Sequence, residues 1–98
     1  MNYRLRILSE AESDVREAYL WYQERRLGLG TEFVGAVEAC LGSIQSRPLA
    51  FPVVFENVRR GLLKRFPYGI FYVIEQDAIA VLACFHVKRD PSLIQGRL

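Results

Sequence analysis

RRGLLKRFPYGIFYVIEQDAIAVLACFHVKRDP, residues Arg59 to Pro91, decides the fold. It reads as three consecutive strands. The first ends at Phe66-Pro67-Tyr68. The second runs from Gly69 to Glu75, Gln76-Asp77 makes the turn, and the third runs from Ala78 to about Val87. Strict alternation puts Ile70, Tyr72 and Ile74 on one side of the second strand and Phe71 and Val73 on the other. In the third strand the same rule groups Ile79, Val81, Ala83 and Phe85 against Ala78, Ala80, Leu82 and Cys84. Both faces are apolar, so the sheet needs a cover on each side. Basic residues crowd the two ends of the stretch.

Upstream residues supply one cover. Tyr3 to Leu8 alternates, with Tyr3, Leu5 and Ile7 opposite Arg4 and Arg6, which predicts a half-buried strand. Ser9 and Glu12 form a capping-box pattern. A helix over Ala11–Arg26 follows, with Ala11, Val15, Ala18 and Tyr22 on one face; Trp21 and Tyr22 read as core or groove residues. Gly28-Leu29-Gly30 interrupts it. A second helix starts at Gly30 or Thr31, presents Phe33, Val37, Leu41 and Ile44, and ends at Arg47-Pro48. Gly35, Ala36, Ala39 and Gly42 form a small-residue flank suited to close approach. Val53-Val54-Phe55 is a candidate short extended piece. The tail from Ser92 to Leu98 reads as a short helix or a loose end. The expected fold is α+β, with the order β-α-α-β-β-β, a small antiparallel-type sheet and a helical hairpin on one face.

At 98 residues this is one domain, half of it hydrophobic, with a net charge of only +2. The charge is polarised. Residues 1–56 hold six Lys/Arg and eight Asp/Glu, net −2, whereas residues 57–98 hold seven and three, net +4. Cys40 and Cys84 lie in apolar contexts, there is one histidine, and no cysteine–histidine cluster exists, so neither a metal nor another cofactor is expected. Both thiols read as small buried hydrophobes of a reducing compartment. No signal peptide is visible at Met1–Ile7, and no run reaches the ~20 apolar residues that span a bilayer. These features point to a cytoplasmic protein with no membrane partner. The second sheet face, left uncovered by the helices, is read as a partner site, with loop 47–57 as the alternative cover.

Several local motifs resemble those of the RelE/ParE superfamily of bacterial toxin–antitoxin toxins. They are Ala11-Glu12-Ser13-Asp14-Val15 followed by Trp21-Tyr22; Gly28-Leu29-Gly30-Thr31-Glu32-Phe33; Arg47-Pro48; Asn57-Val58-Arg59-Arg60; Phe66-Pro67-Tyr68 with Tyr72; and His86-Val87-Lys88-Arg89-Asp90-Pro91. Their order and spacing cover nearly the whole chain. The WY pair, FPY and HxxRDP lean to the ParE, or plasmid-stabilisation, branch. The resemblance implies a small growth-arresting toxin, neutralised in a hetero-oligomer by a cognate antitoxin. In the ParE branch the target would be DNA gyrase, bound without hydrolytic chemistry. In the RelE branch the protein would be an endoribonuclease that cuts messenger RNA on the ribosome. A third reading is a degenerate module that only binds an antitoxin.

The residues test the branches. RNA cleavage needs an activated 2′-hydroxyl, a stabilised phosphorane and a proton for the leaving oxygen. The catalytic candidates are Lys64, Arg65, His86 and Arg89, with Lys88 beside them. The ribonuclease branch usually has an arginine just after the position of Tyr68, where this chain has Gly69. It often ends on a functional tyrosine, and here no tyrosine follows Tyr72. His86 is more readily a hydrogen-bonded strand-end residue than an acid or base. The expected antitoxin- or target-binding set is Arg59, Arg60, Lys64, Arg65, Ile70, Tyr72, His86, Lys88 and Arg89. Arg4 and Arg6 would extend it if their strand lay alongside, and Arg89-Asp90 could form an internal pair that fixes the tail.

Overall fold

The chain begins with β1 (Arg4–Ile7), which leads into α1 (Ser9–Arg25) and α2 (Leu29–Ser46). A 3-10 turn (Pro48–Ala50) connects to β2 (Val53–Phe55), β3 (Val58–Leu62), β4 (Tyr68–Glu75) and β5 (Ala78–His86), and a 3-10 segment over Pro91–Arg97 closes the chain. This is a computed structural model, and it describes residues 3–98. The strands form one sheet in the order β1-β5-β4-β3-β2. The α+β architecture with a helical hairpin on one face is as expected, and Val53–Phe55 adds an edge strand. The sheet is mixed rather than wholly antiparallel, because β1 lies parallel to β5, from Arg4 opposite Ala78 to Ile7 opposite Val81. The helical layer separates these two strands in the chain, so no hairpin sets their direction. Among the described residues no helix is long and apolar enough to cross a membrane.

The helical hairpin covers the first face. Phe33, Val37, Cys40 and Ile44 of α2 and Ala11 and Ala18 of α1 pack on Ile70, Tyr72, Ile79, Val81 and Cys84. Tyr22, Phe33 and Phe66 meet with centroids 5.0–5.4 Å apart. Gly28 turns the chain between the helices at φ 93°, and the Gln23 side-chain oxygen accepts from the Gly28 and Gly30 N–H groups at 3.2 and 2.9 Å. Close approach of the helices occurs at Gly30, where a Cβ would stand 2.6 Å from the Tyr19 carbonyl oxygen. The expected small flank does not serve this purpose, since Gly35 and Gly42 face open space.

Two local expectations are corrected. The Ser9–Glu12 capping box does not form. The helix starts at Ser9 itself with Leu8 as N-cap, and no side chain caps it. Leu8 N–H is bonded to the Val81 carbonyl at 3.0 Å, so the β1 ladder runs straight into the helix with no residue left for a cap. Likewise the strand expected to reach Phe66-Pro67-Tyr68 stops at Leu62. Arg65 adopts φ 68° and Pro67 has no N–H, so residues 63–67 turn instead, tucking Leu63 and Phe66 into the core.

The third correction concerns β5. Its pairing with β4 steps from Phe71 opposite Ala83 to Tyr72 opposite Val81, which leaves Leu82 as a bulge. The extra residue inverts the alternation beyond it. Ala83 and Phe85 therefore join Ala80 and Leu82 on the second face, while Cys84 turns to the helices. That second face is not open. Val58, Phe71, Val73, Ala80, Leu82 and Phe85 are buried with Ile94 of the 3-10 tail, and Leu8, Val54 and Phe55 pack at the margin. The chain thus supplies the cover that had been assigned to a partner. It does so with its own tail and β2, because Ile94 (0% exposed) seats directly on the sheet.

Candidate functional site

Cationic side chains distribute unequally between the two ends of the sheet. At the end closed by the β4–β5 turn, Arg6 reaches Glu75 at 2.8 Å and Arg4 reaches Asp77 at 3.6 Å. Those arginines are neutralised locally and do not extend the basic patch, since the parallel β1–β5 register carries them to the turn rather than to the opposite end. At the opposite end Lys64, Arg65, Lys88 and Arg89 are exposed, and none makes an ion pair among the described residues. Arg89 lies flat on the Phe85 ring, 4.1 Å from its centroid. The Arg89–Asp90 pair does not form. Asp90 instead accepts from Ser92 N–H at 3.0 Å and starts the tail's 3-10 segment, and those bonds hold its carboxyl below the ordinary aspartate range.

The remaining members of the expected binding set fall elsewhere. Ile70 and Tyr72 are 1% and 0% exposed, so neither can meet a partner. They face the helices, and the Tyr72 hydroxyl donates to the Pro48 carbonyl at 2.6 Å. Burial pushes the Tyr72 phenol up to about 12. Arg59 braces the connection before β2, donating to the Phe51 carbonyl at 2.6 Å. Arg60 packs its stem over Gly69, where a Cβ would stand 2.9 Å from its Cγ and Cδ, and its buried Nε has no partner. Gly69 therefore makes room for an arginine from the neighbouring strand.

His86 sits at the end of β5 with its ring edge-on to Tyr68, centroids 5.3 Å apart. Its Nδ1 accepts from Lys88 N–H at 3.1 Å, which assigns the neutral ring's proton to Nε2. The ring is thus hydrogen-bonded to the backbone just past the strand end. The four catalytic candidates do not converge. His86 and Arg89 line a hollow of about 530 Å3 between α1 and the end of β5, together with Glu17, Trp21, Tyr22 and Tyr68. Lys64 and Arg65 line a different depression against α2, beside Glu32, Ala36 and Ala39.

One arrangement escaped the sequence reading. β1 ends opposite Val81, so β5 runs on from Leu82 as a free edge. Asp14 and Arg97 seal it. Arg97 donates to both Asp14 carboxylate oxygens at 2.6 and 3.2 Å and to the Leu82 carbonyl at 3.0 Å, while Asp14 accepts from Cys84 N–H at 3.0 Å. Both side chains are largely buried, at 10% and 18% exposure. Asp14 raises the Arg97 guanidinium above its ordinary value. The available signal was an acid on the apolar face of α1, three residues from Ala11 and four from Ala18. The two thiols are buried and free, and desolvation pushes Cys40 up to about 11 and Cys84 up to about 12.

No family model matches the sequence. Toxin ParE2 of Mycobacterium tuberculosis, in strains CDC 1551 / Oshkosh and H37Rv alike, is 27% identical over an alignment that spans all of this chain and 94% of the relative. A chain of the chromosomal ParDE TA system from P. aeruginosa superposes with a TM-score of 0.66 at 17% identity, covering 86% of this chain and 95% of that one. A chain of the toxin–antitoxin complex RelBE2 from Mycobacterium tuberculosis gives 0.61 at 18%, covering 88% and 99%. The chain is thus similar over its full length to Toxin ParE2, and it shares the fold of these two toxin–antitoxin chains. Among the described residues, the hollow beside β5 and the exposed cations at that end of the sheet are polar features that the core does not consume.

Proposed function

We propose that the chain is the toxin of a type II toxin–antitoxin pair, ParE-like in action, held inactive in the cytoplasm by a cognate antitoxin and acting by binding DNA gyrase. The observation that supports the non-hydrolytic reading is the separation of Lys64 and Arg65 from His86 and Arg89. Cleavage of RNA requires acid, base and phosphate-stabilising groups around one reacting centre, and these four residues are divided between two depressions. Arg60 over Gly69 and the structural hydrogen bond of His86 point the same way. The unpaired cations at the end of β5 suit acidic side chains of a protein partner, where charge complementarity raises the association rate and sets register.

Two measurements test this reading. Purified toxin in excess is expected to inhibit gyrase supercoiling and to trap cleaved DNA; no effect on either assay overturns the gyrase assignment. Induced expression is expected to arrest growth while messenger RNA stays intact; translation-dependent cleavage, lost in His86→Ala or Arg89→Ala, would replace this reading with the endoribonuclease one. The antitoxin is tested separately, by co-purification with the protein encoded beside this gene and by the rise in thermal stability that binding to the folded state brings.

A further inference from the structure

Asp14 and Glu17 stand three residues apart on α1, and both line the hollow beside β5. The inner of the two shows how this chain holds an arginine. The Arg97 guanidinium forks onto the Asp14 carboxylate, donates to a backbone carbonyl, and lies 5.0 Å from the Phe85 ring. Glu17 repeats the carboxylate nearly one helical turn further out. Its aromatic surroundings are Trp21, Tyr22, Tyr68 and His86. Yet Glu17 has no hydrogen bond or ion pair among the described residues, and neither do the Tyr22 and Tyr68 hydroxyls. Arg89 on the opposite rim stacks on Phe85 and is not within ion-pair distance of Glu17. Trp21 already draws the chain's own Arg25 guanidinium to 3.9 Å from its ring centroid. A cavity of about 530 Å3 has room for a guanidinium and its aliphatic stem.

We propose that this outer hollow accepts an arginine side chain from a partner protein, with Glu17 as its carboxylate and the aromatic walls as its stacking surfaces. Arginine is favoured over lysine because its planar fork matches a carboxylate and lies flat on rings, which a compact ammonium does not. The inference deepens the partner-binding reading above and rests on it only in that the occupant belongs to another protein.

The test uses the full chain and three small probes at constant ionic strength: N-acetyl-argininamide, N-acetyl-lysinamide and N-acetyl-glutaminamide. Trp21, the only tryptophan, reports by fluorescence, and backbone amides report by NMR. Argininamide is expected to bind saturably in the millimolar range, as suits one side chain, with shifts confined to residues 14–22, 67–68 and 84–89. Lysinamide should bind several-fold more weakly and glutaminamide not at all. Glu17→Gln should weaken argininamide about tenfold or more, while Glu17→Asp retains binding. Equal responses to all three probes, or an unchanged argininamide response in Glu17→Gln, would overturn the proposal. Because the probes are small molecules, this outcome is independent of whether the antitoxin co-purifies.

Discussion

The two ends of the sheet place similar residues in opposite circumstances. At the β4–β5 turn, Arg4 and Arg6 meet Asp77 and Glu75 in full solvent. At the far end one arginine, Arg97, is driven inward onto Asp14, while Lys64, Arg65, Lys88 and Arg89 stay outside with no acid partner among the described residues. Ion pairs in water contribute little, because high dielectric and side-chain entropy offset the attraction. A largely enclosed pair such as Asp14–Arg97 is different. Its loss leaves a charge stranded away from water. The turn end is therefore electrostatically complete and energetically inert. The far end combines a pair whose integrity the fold depends on with cations available to something else.

The largest expected effect strikes that buried pair. Asp14→Ala should leave the Arg97 guanidinium with the Leu82 carbonyl alone and orphan the Cys84 N–H, costing about 2–3 kcal/mol in urea unfolding; a cost below about 1 kcal/mol would show that solvent replaces the lost bonds. Next comes pH. The folded thiols of Cys40 and Cys84 stand at about 11 and about 12, above the ordinary 9.0. Groups whose folded pKa is raised contribute stability that is fully present below the unfolded value and drains away as pH climbs through the folded one. The urea midpoint should hold to about pH 9 and then fall towards pH 11–12. Cys84→Ala should flatten that decline, and an equally steep fall in the variant would sink the explanation.

Gly69→Ala is expected to cost about 1–2 kcal/mol, because the new methyl displaces the stem of Arg60. Charge reversal at Lys64 or Arg89 should leave stability within about 0.5 kcal/mol. It should nonetheless slow association with the antitoxin and flatten its salt dependence, and unaltered kinetics would remove the basic end from the interface. The smallest effect belongs to the turn end, where Arg4→Ala should shift the unfolding free energy by no more than about 0.5 kcal/mol.

Much of this architecture was legible because burial imposes periods. The 3.6-residue pattern of Ala11, Val15, Ala18 and Tyr22 located α1, and the apolar runs either side of Gln76-Asp77 located β4 and β5. What escaped depended on one residue or on distant partners. Period two has no means of registering Leu82, so Ala83 and Phe85 were placed on the wrong face; nor does it say which face of β4 the helices take, so Ile70 and Tyr72 could be taken for exposed. The tail read as a short helix or a loose end, and nothing in its pattern tied Ile94 to the second face, where it is fully buried. The candidate site was legible as residue types near one end of the sheet. Its division into two depressions was not, because it follows from the turn at residues 63–67 carrying Lys64 and Arg65 towards α2.

The Asp14–Arg97 contact joins residues 83 positions apart in the chain. Contacts of that span carry a large loop-closure cost and are not expected to form until the intervening structure has already assembled. Seen as kinetics, the pair is a late bolt rather than a nucleus. Weakening it should accelerate unfolding and leave the folding rate nearly unchanged. A protein whose outermost clasp closes last would owe its persistence to the slowness with which that clasp lets go.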